Sequence, residues 1–227
     1  MHYAEFKQHD PSLVLEMVKT FPFATILVNG DKGPLVAQAP LTPRTGQNSA
    51  GAVEFHLALV NPIAKAMIPD VPITIMVQGP GAAISPSWYT ASFQGENQDR
   101  SQTAPTYNYL SLVIRGRLEL IDDLTLQNQI RDLVLANEPA NGWRTEELDP
   151  QLWNGWRKMI QGYRLEIAEY DLTAKISQGD SPGDKPGLVE GLKQRNLQQD
   201  GMMAKLVGGY DGTPSSLHAL LRNLREQ

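Results

Sequence analysis

Cysteine is absent from the 227-residue sequence, which excludes disulfides, thiol nucleophiles and thiolate metal ligands. Because disulfides are typical of secreted proteins, this absence favours a reducing compartment. The four histidines are His2, His9, His56 and His218. No two of them are spaced i, i+4, and no acidic cluster beside them would complete a zinc site. We therefore expect no metal, and any chemistry has to use other side chains.

Long apolar runs are missing as well. No stretch approaches the roughly 20 apolar residues that a membrane-spanning helix needs, and the N-terminal segment lacks the basic start and apolar centre of a signal peptide. These absences predict a cytoplasmic location and no membrane partner. The formal net charge of -5 argues against a broad nucleic-acid footprint, because non-specific DNA affinity comes mainly from Lys and Arg.

Motifs of several common enzyme classes are also lacking. Gly79-Pro80-Gly81 does not follow the G-x-G-x-x-G pattern and no P-loop motif occurs, which excludes the Rossmann and P-loop folds. Ser85 and Ser87 lack the G-x-S-x-G pattern of a hydrolase nucleophile. The sequence therefore assigns no catalytic residue.

Alternating apolar and polar residues predict strands in the first half of the chain. A hairpin is expected from 23–28 and 34–41, with further strands at 52–59, 72–78 and 110–122. Directly after the strand at 72–78, the segment GPGAAISPSWY (79–89) places glycine and proline where a turn between two strands is expected.

Helix signals interrupt and follow these strands. Helices are predicted after Asp10-Pro11, Asn61-Pro62, Asp122-Asp123 and Asp149-Pro150, the last carrying Trp156 and Ile160 before a strand at 163–176. Three more are predicted near the C-terminus, at 187–195, 202–207 and 214–225. The last has an apolar stripe that must be buried on the domain or on a partner subunit, formed by Leu217, Leu220, Leu221 and Leu224.

The order of these elements predicts an α+β barrel rather than a doubly wound parallel sheet. Adjacent strands of antiparallel type dominate, and the helices are inserted rather than alternating with every strand. We expect a barrel domain with its N-terminal helix at 1–180 and a C-terminal helical tail at 181–227, packed on the barrel or on a dimer partner.

Polar and aromatic residues gather at the predicted strand ends. Lys65 would lie about one turn into the helix begun by Asn61-Pro62, where free backbone N–H groups, the helix dipole and an ammonium could bind a phosphate. The alternative is that Lys65 is a solvated helix lysine and Asn61 only a cap. Trp88 and Tyr89 have a parallel alternative as core or interface aromatics.

Four segments resemble a known family: GPGAAISPSWY (79–89), APTYNY (104–109), FHLALVNP (55–62) and KISQGDS (175–181). They are similar to segments of the FMN-binding negative transcriptional regulators of the PaiB type. The resemblance implies a flavin-reductase-like FMN-binding split β-barrel, usually a homodimer. Our candidate cofactor-binding residues are His56, Asn61, Lys65, Gln78, Ser85, Ser87, Trp88, Tyr89 and Asn108.

Several positions depart from the pattern of that family, among them Tyr107 in place of a tryptophan and Gly179-Asp180 at the end of the last segment. Two of the departures remove a cationic or ionisable side chain. Gln38 replaces a histidine and Leu59 replaces an arginine. If that arginine holds phosphate, the apolar Leu59 removes a charge-assisted contact, which predicts weaker FMN binding.

Three functions remain open. The first is a flavin-binding regulator in which FMN alters a contact with DNA or another protein. The second is a small flavin oxidoreductase that uses NAD(P)H. The third is a dimeric interaction module without a cofactor, which Gln38 and Leu59 favour. No basic helix-turn-helix pattern occurs, so direct DNA reading has the least support.

Overall fold

Strands and helices alternate irregularly in the computed structural model, which describes residues 3–93, 101 and 103–226. The described strands are β1 (Lys7–Gln8), β2 (Phe23–Gly30), β3 (Gly33–Pro40), β4 (Thr42–Arg44), β5 (Ala52–Ala58), β6 (Pro72–Ile84), β7 (Thr106–Leu120), β8 (Ile160–Glu166) and β9 (Glu169–Lys175). The α-helices are α1 (Ser12–Thr20), α2 (Asp123–Asn137), α3 (Pro150–Trp156), α4 (Lys185–Arg195), α5 (Asp200–Gly209) and α6 (Pro214–Arg225).

Antiparallel pairing joins β1 to β9, β2 to β3 and β6, β4 to β5, and β8 to β5 and β7. The strand order is β3-β2-β6-β7-β8-β5-β4, and β9 pairs with both β1 and β7. The predicted hairpin is confirmed: β2 pairs with β3 from Phe23↔Pro40 to Gly30↔Gly33. Gly33 closes the turn with φ of 118°, a conformation that glycine adopts without steric cost.

Two compact units divide the chain. The first comprises Met1–Glu16, Gln78–Leu112 and Asp171–Gln227, and the second comprises Met17–Val77 and Val113–Tyr170. The boundaries 1–180 and 181–227 proposed from sequence stay predictions.

The second unit is a strand-rich core that also contains α2, α3 and the end of α1. Alternate residues of β2 are buried, whereas β5 is buried continuously from Ala52 to Phe55, and Phe55 stacks on Tyr163 with ring centroids 5.3 Å apart. Glu54 is buried among them, and Arg44 and Arg164 both form ion pairs with it. This network satisfies a carboxylate that would otherwise be costly to bury.

The first unit contains the three C-terminal helices, whose predicted positions are confirmed to within a few residues. The leucine stripe of α6 is used inside this unit: Leu217 and Leu221 are fully buried. Glu16, also buried, forms ion pairs with Arg222 and Arg225. Leu220 and Leu224 stay partly exposed, so the chain itself covers only half of the predicted stripe.

Three predicted elements differ from the structure. The segment 79–84 continues β6 to Ile84 instead of turning, so that only Ser85 onward leaves the strand. Gly81 allows this extension because the Tyr107 ring lies against it, and a Cβ there would meet Tyr107 Cε1 at 2.7 Å. Close packing has overridden the local preference of glycine and proline for turns.

The other two differences concern the helix after Asn61 and the strand at 163–176. The helix is only a 3-10 turn, Pro62–Lys65. The predicted strand is two strands, β8 and β9, separated at residues 167–168, and Ile160 begins β8 instead of ending the preceding helix. Sequence periodicity does not show that break because apolar residues continue across it.

Among the described residues, no helix is long and apolar enough to cross a membrane.

Candidate functional site

We define the signature segment as residues 79–89. Its second half, from Ser85 onward, forms a capped turn. Ser85 is the N-cap of a 3-10 turn at Pro86–Trp88, and its Oγ accepts a hydrogen bond from Ser87 N at 3.2 Å. This cap satisfies a backbone donor at the start of the turn. Ser85 thereby fixes the direction in which Trp88 and Tyr89 leave the strand.

Trp88 packs against α4. At Gly191 a Cβ would lie 2.3 Å from Trp88 Cδ2, so only glycine leaves room for the ring. The Arg195 guanidinium lies 5.0 Å from the centroid of the Trp88 ring. Arg195 is held in turn by two hydrogen bonds to Asp200, of 2.8 and 2.6 Å. Trp88 therefore has a packing role within the first unit, whatever else it contacts.

A buried carboxylate anchors the residues that follow. Asp184 accepts hydrogen bonds from Ala91 N at 2.7 Å and Ser92 N at 2.9 Å, and also from the Ser92 hydroxyl. Burial raises the pKa of Asp184, but the hydrogen bonds from Ser92 and Ala91 lower it by more than burial raises it. The net pKa of Asp184 is therefore below the ordinary value of an aspartate. The carboxylate remains ionised and holds the segment after Tyr89.

Tyr89 donates a hydrogen bond to Asp180 at 3.3 Å. Burial, together with the negative charges of Asp180 and Asp184, raises the pKa of Tyr89 to about 12. The phenol therefore stays protonated and serves as a hydrogen-bond donor near neutral pH.

Gln78 and Asn108 lie on the two long strands. The Gln78 amide donates to Gly79 O at 3.2 Å and Leu110 O at 3.3 Å. Asn108 Nδ2 donates to Ser177 Oγ at 2.8 Å, whereas Asn108 Oδ1 is fully buried and accepts no hydrogen bond. A buried acceptor without a donor is uncommon and needs an explanation.

Sequence reasoning missed Lys175 and Ser177 as site residues. Lys175 is buried at the end of β9 and donates to the Thr106 hydroxyl and to Tyr107 O at 3.2 Å. Ser177 is also buried, with φ of 62°, and bonds to Asn108. The motif KISQGDS had marked this stretch, but its partners lie about 70 residues earlier in the chain.

The second unit contains the other three candidates. His56 Nδ1 lies 2.8 Å from Gln129 Oε1, and Gln129 Nε2 donates to Thr42 Oγ1 at 2.8 Å. Because Gln129 uses its amide N–H on Thr42, its carbonyl oxygen faces His56, and Nδ1 is the donor. In the neutral ring, Nε2 is then the acceptor.

Asn61 and Lys65 lie in and beside the 3-10 turn. Asn61 Oδ1 accepts a hydrogen bond from Ile63 N at 3.2 Å, which confirms its cap role. The short helix predicted after Asn61-Pro62 is a four-residue 3-10 turn, of which Lys65 is the last residue. Lys65 is exposed, and its role as a phosphate ligand stays a prediction.

The chemistry of the first unit fits a planar heterocycle with mixed donors and acceptors. Asn108 Oδ1 offers an unused acceptor, Lys175 a buried cation, and the Tyr89 hydroxyl, which donates its hydrogen to Asp180, an acceptor oxygen. A flavin ring carries an N–H between two carbonyl groups, which complements such a set. The nine candidate cofactor ligands remain predictions.

Comparison with known proteins addresses the family. A family model described as "Putative FMN-binding domain" matches residues 1–169. "Protease synthase and sporulation protein PAI 2" of Bacillus subtilis is 23% identical over 207 residues, covering 89% of this chain and 93% of that protein. These matches confirm the resemblance to the PaiB type that the four segments indicated.

Solved structures show the fold. The flavocytochrome Anf3 of Azotobacter vinelandii has a TM-score of 0.57 at 19% identity, covering 82% of this chain and 77% of its own. The FAD and heme binding protein of Mycobacterium smegmatis has a TM-score of 0.55 at 16% identity, covering 79% and 78%. The predicted α+β split-barrel class with a C-terminal helical segment is confirmed.

Proposed function

Because the chain belongs to the FMN-binding domain family, we propose that it binds FMN and acts as a flavin-linked regulator of transcription. The observation that carries this proposal is the family match over residues 1–169, together with the similarity to PAI 2 along nearly the whole chain. FMN is the cofactor that the family description names. The regulatory role is inferred from the resemblance to the PaiB type.

The candidate ligands fall into two groups under this proposal. In the second unit, His56 is held by Gln129 and Lys65 is exposed, and both stay predicted ligands. Within the first unit, the buried acceptor of Asn108 and the hydroxyl of Tyr89 would orient the ring. The FMN itself would supply redox-active chemistry, whereas the chain would bind the ring, orient it and limit its contact with water.

The regulatory partner would be DNA or a protein. The net charge of -5 favours a protein partner over direct sequence reading, because phosphate neutralisation needs a concentrated positive surface. A cytoplasmic site of action is part of the same proposal.

We also propose that the chain forms a homodimer. Support comes from a sheet face of the second unit on which Phe23, Val36 and Met76 are 61%, 56% and 42% exposed. The registers Thr25↔Met76 and Leu27↔Val36 place Val36 and Met76 on the face of β2 that also carries Phe23. An exposed apolar face of this kind is typical of protein interfaces.

An absorption spectrum of freshly purified protein tests the cofactor assignment. We expect a flavin spectrum, or saturable binding when the apoprotein is titrated with FMN and followed by flavin fluorescence. The absence of saturable binding up to millimolar FMN would favour a cofactor-free interaction module. Steady NAD(P)H oxidation by the loaded protein would favour the oxidoreductase instead.

A further inference from the structure

A buried polar cluster occupies the beginning of β7 in the first unit. We define the polar cluster as Thr106, Asn108, Lys175 and Ser177. Asn108 is 1% exposed and Lys175 is 8% exposed. Thr106 and Asn108 lie two residues apart in β7, so their side chains point to the same face of the strand. On that face, Lys175 of β9 bonds to Thr106 and Ser177 bonds to Asn108.

The described protein groups do not supply a hydrogen-bond partner for both polar atoms of the Asn108 amide. Its Nδ2 donates to Ser177 Oγ, and its Oδ1 has no donor. Rotating the amide by 180° would let Oδ1 accept from the serine hydroxyl, but Nδ2 would then lack its acceptor. In either orientation, one buried polar atom of the amide has no hydrogen-bond partner, which costs of the order of 1–3 kcal/mol of folding free energy.

Lys175 is a buried cation whose hydrogen bonds go to neutral oxygens, the Thr106 hydroxyl and Tyr107 O. Within the part of the chain that the structure describes, no carboxylate lies within ion-pair distance of its ammonium. Burial lowers its pKa, and the negative charge of Asp180 only partly opposes that effect. A cation in this position is available to an electron-rich oxygen of a ligand.

An unused acceptor beside a cationic donor complements a cyclic imide, in which an N–H lies between two carbonyl groups. Resting on the proposed function, we propose that Asn108 and Lys175 bind the imide edge of the flavin ring. Asn108 Oδ1 accepts from the ring N–H, and Lys175 donates to a ring carbonyl. Ser177 holds the Asn108 amide in the orientation that leaves Oδ1 unused.

The N-terminal segment gives a route to this buried position. The Phe6 ring centroid lies 5.8 Å from Lys175 Nζ, and Gln178 Nε2 donates to Glu5 O at 3.3 Å. The segment is attached to β9 by the two-residue strand β1. Lys7 also forms an ion pair with Asp171, and Phe6 is buried, so a ligand that reaches the polar cluster by this route has to displace these contacts.

Asn108→Leu separates ligand binding from structural support. Leucine has a similar volume and removes the unsatisfied atom, but it also removes the hydrogen bond to Ser177 Oγ, so these opposing effects should leave thermal stability within about 1–2 kcal/mol of the wild type. FMN affinity should fall about tenfold to a hundredfold. If a buried water satisfies Oδ1 instead, the variant will bind FMN as the wild type does, and the proposal fails.

A modified ligand tests the same contact without changing the protein. FMN methylated at the imide nitrogen lacks the N–H donor, so the wild type should bind it about tenfold to a hundredfold more weakly than FMN. Asn108→Leu should bind the two ligands nearly equally. Equal binding of both ligands by the wild type would contradict the proposal, even if the variant failed to fold.

Lys175→Met tests the cation, with Lys193→Met on exposed α4 surface as the matched control. Lys175→Met should weaken FMN binding about tenfold and lower the midpoint potential of the bound flavin. The reason is that the ammonium stabilises negative charge that the ring gains on reduction. Lys193→Met should change neither quantity.

The outcomes distinguish this inference from the function on which it rests. If the wild type shows no saturable FMN binding, both are wrong. If the wild type binds FMN and both variants bind it with unchanged affinity and potential, the FMN assignment stands and the imide contact is wrong.

Discussion

At the scale of single residues, a few buried carboxylates position the signature segment. Asp184 fixes the backbone after Tyr89, and Asp200 holds the guanidinium that lies on Trp88. Asp200 also accepts from Leu197 N at 2.9 Å. Such side chains affect the candidate site without touching a ligand, because they set the orientation of Trp88 and of the residues beside it.

Asp200→Asn should lower the free energy of unfolding by about 2–3 kcal/mol, because it leaves a partly buried arginine without its counter-charge. Hydrogen bonds from Arg195 lower the pKa of Asp200 from 3.8. The carboxylate therefore stabilises the fold above pH about 4, and this contribution disappears as the pH falls through the lowered pKa.

Urea unfolding of the wild type and Asp200→Asn between pH 7 and pH 2 checks this. The difference between them should be largest near neutrality and shrink in acid. Asp31→Asn, at an exposed hairpin position, should behave as the wild type throughout. A pH-independent difference would mean that Asp200 acts through packing rather than through charge.

At the scale of elements, α4 is shaped to receive the signature segment. Gly187 and Gly191 lie one turn apart, and a Cβ at Gly187 would meet Trp88 O at 2.2 Å. Both glycines thus face the same 3-10 turn, although glycine weakens a helix interior by about 1 kcal/mol relative to alanine. The two glycines lower the intrinsic stability of α4, but they allow the Trp88 segment to pack closely against it.

Gly191→Ala should lower the free energy of unfolding by about 1–2 kcal/mol, because the clash with Trp88 outweighs the gain in helix propensity. Gly201→Ala in α5 is the matched control, since a Cβ there meets nothing within 4 Å. That control should be neutral or stabilised by up to about 1 kcal/mol. Chemical denaturation measures both, and equal stabilisation of the two variants would show that Trp88 moves away without cost.

At the scale of the whole molecule, the sheet of the second unit exposes large apolar side chains, whereas two leucines of α6 are fully buried. Leu217 and Leu221 are buried by the chain itself, whereas Phe23, Val36 and Met76 are exposed. Apolar side chains in a contiguous face are costly to leave in water, at about 25 cal/mol per Å². This face is therefore the better candidate for a dimer contact.

Light scattering at micromolar concentration should give twice the 25.1 kDa monomer mass. Val36→Lys and Met76→Lys should each shift the protein toward the monomer while retaining its circular dichroism, because a lysine in the centre of an apolar interface buries a charge. Leu197→Lys, at an exposed position in the first unit, should leave the dimer intact. A wild type that scatters only as a monomer would show that the dimer proposal is wrong.

The sequence by itself determined the local elements and the family. Alternation of apolar residues placed β2, β3, β5 and most of β7, and cap residues placed α1, α2 and α6. Four short motifs identified the FMN-binding family, which the match over residues 1–169 confirms. These features follow from interactions between near neighbours in the chain, and sequence patterns report such interactions directly.

Only the tertiary structure decided which of those residues come together. Asn108 and Ser177 are 69 positions apart, and the unused acceptor of Asn108 appears only when both are placed. The extension of β6 through Gly81 depends on the Tyr107 ring, and the role of Trp88 depends on a glycine of α4. Close packing and hydrogen bonds between distant segments settle these points, because their free energies exceed the small local preferences that a sequence reveals.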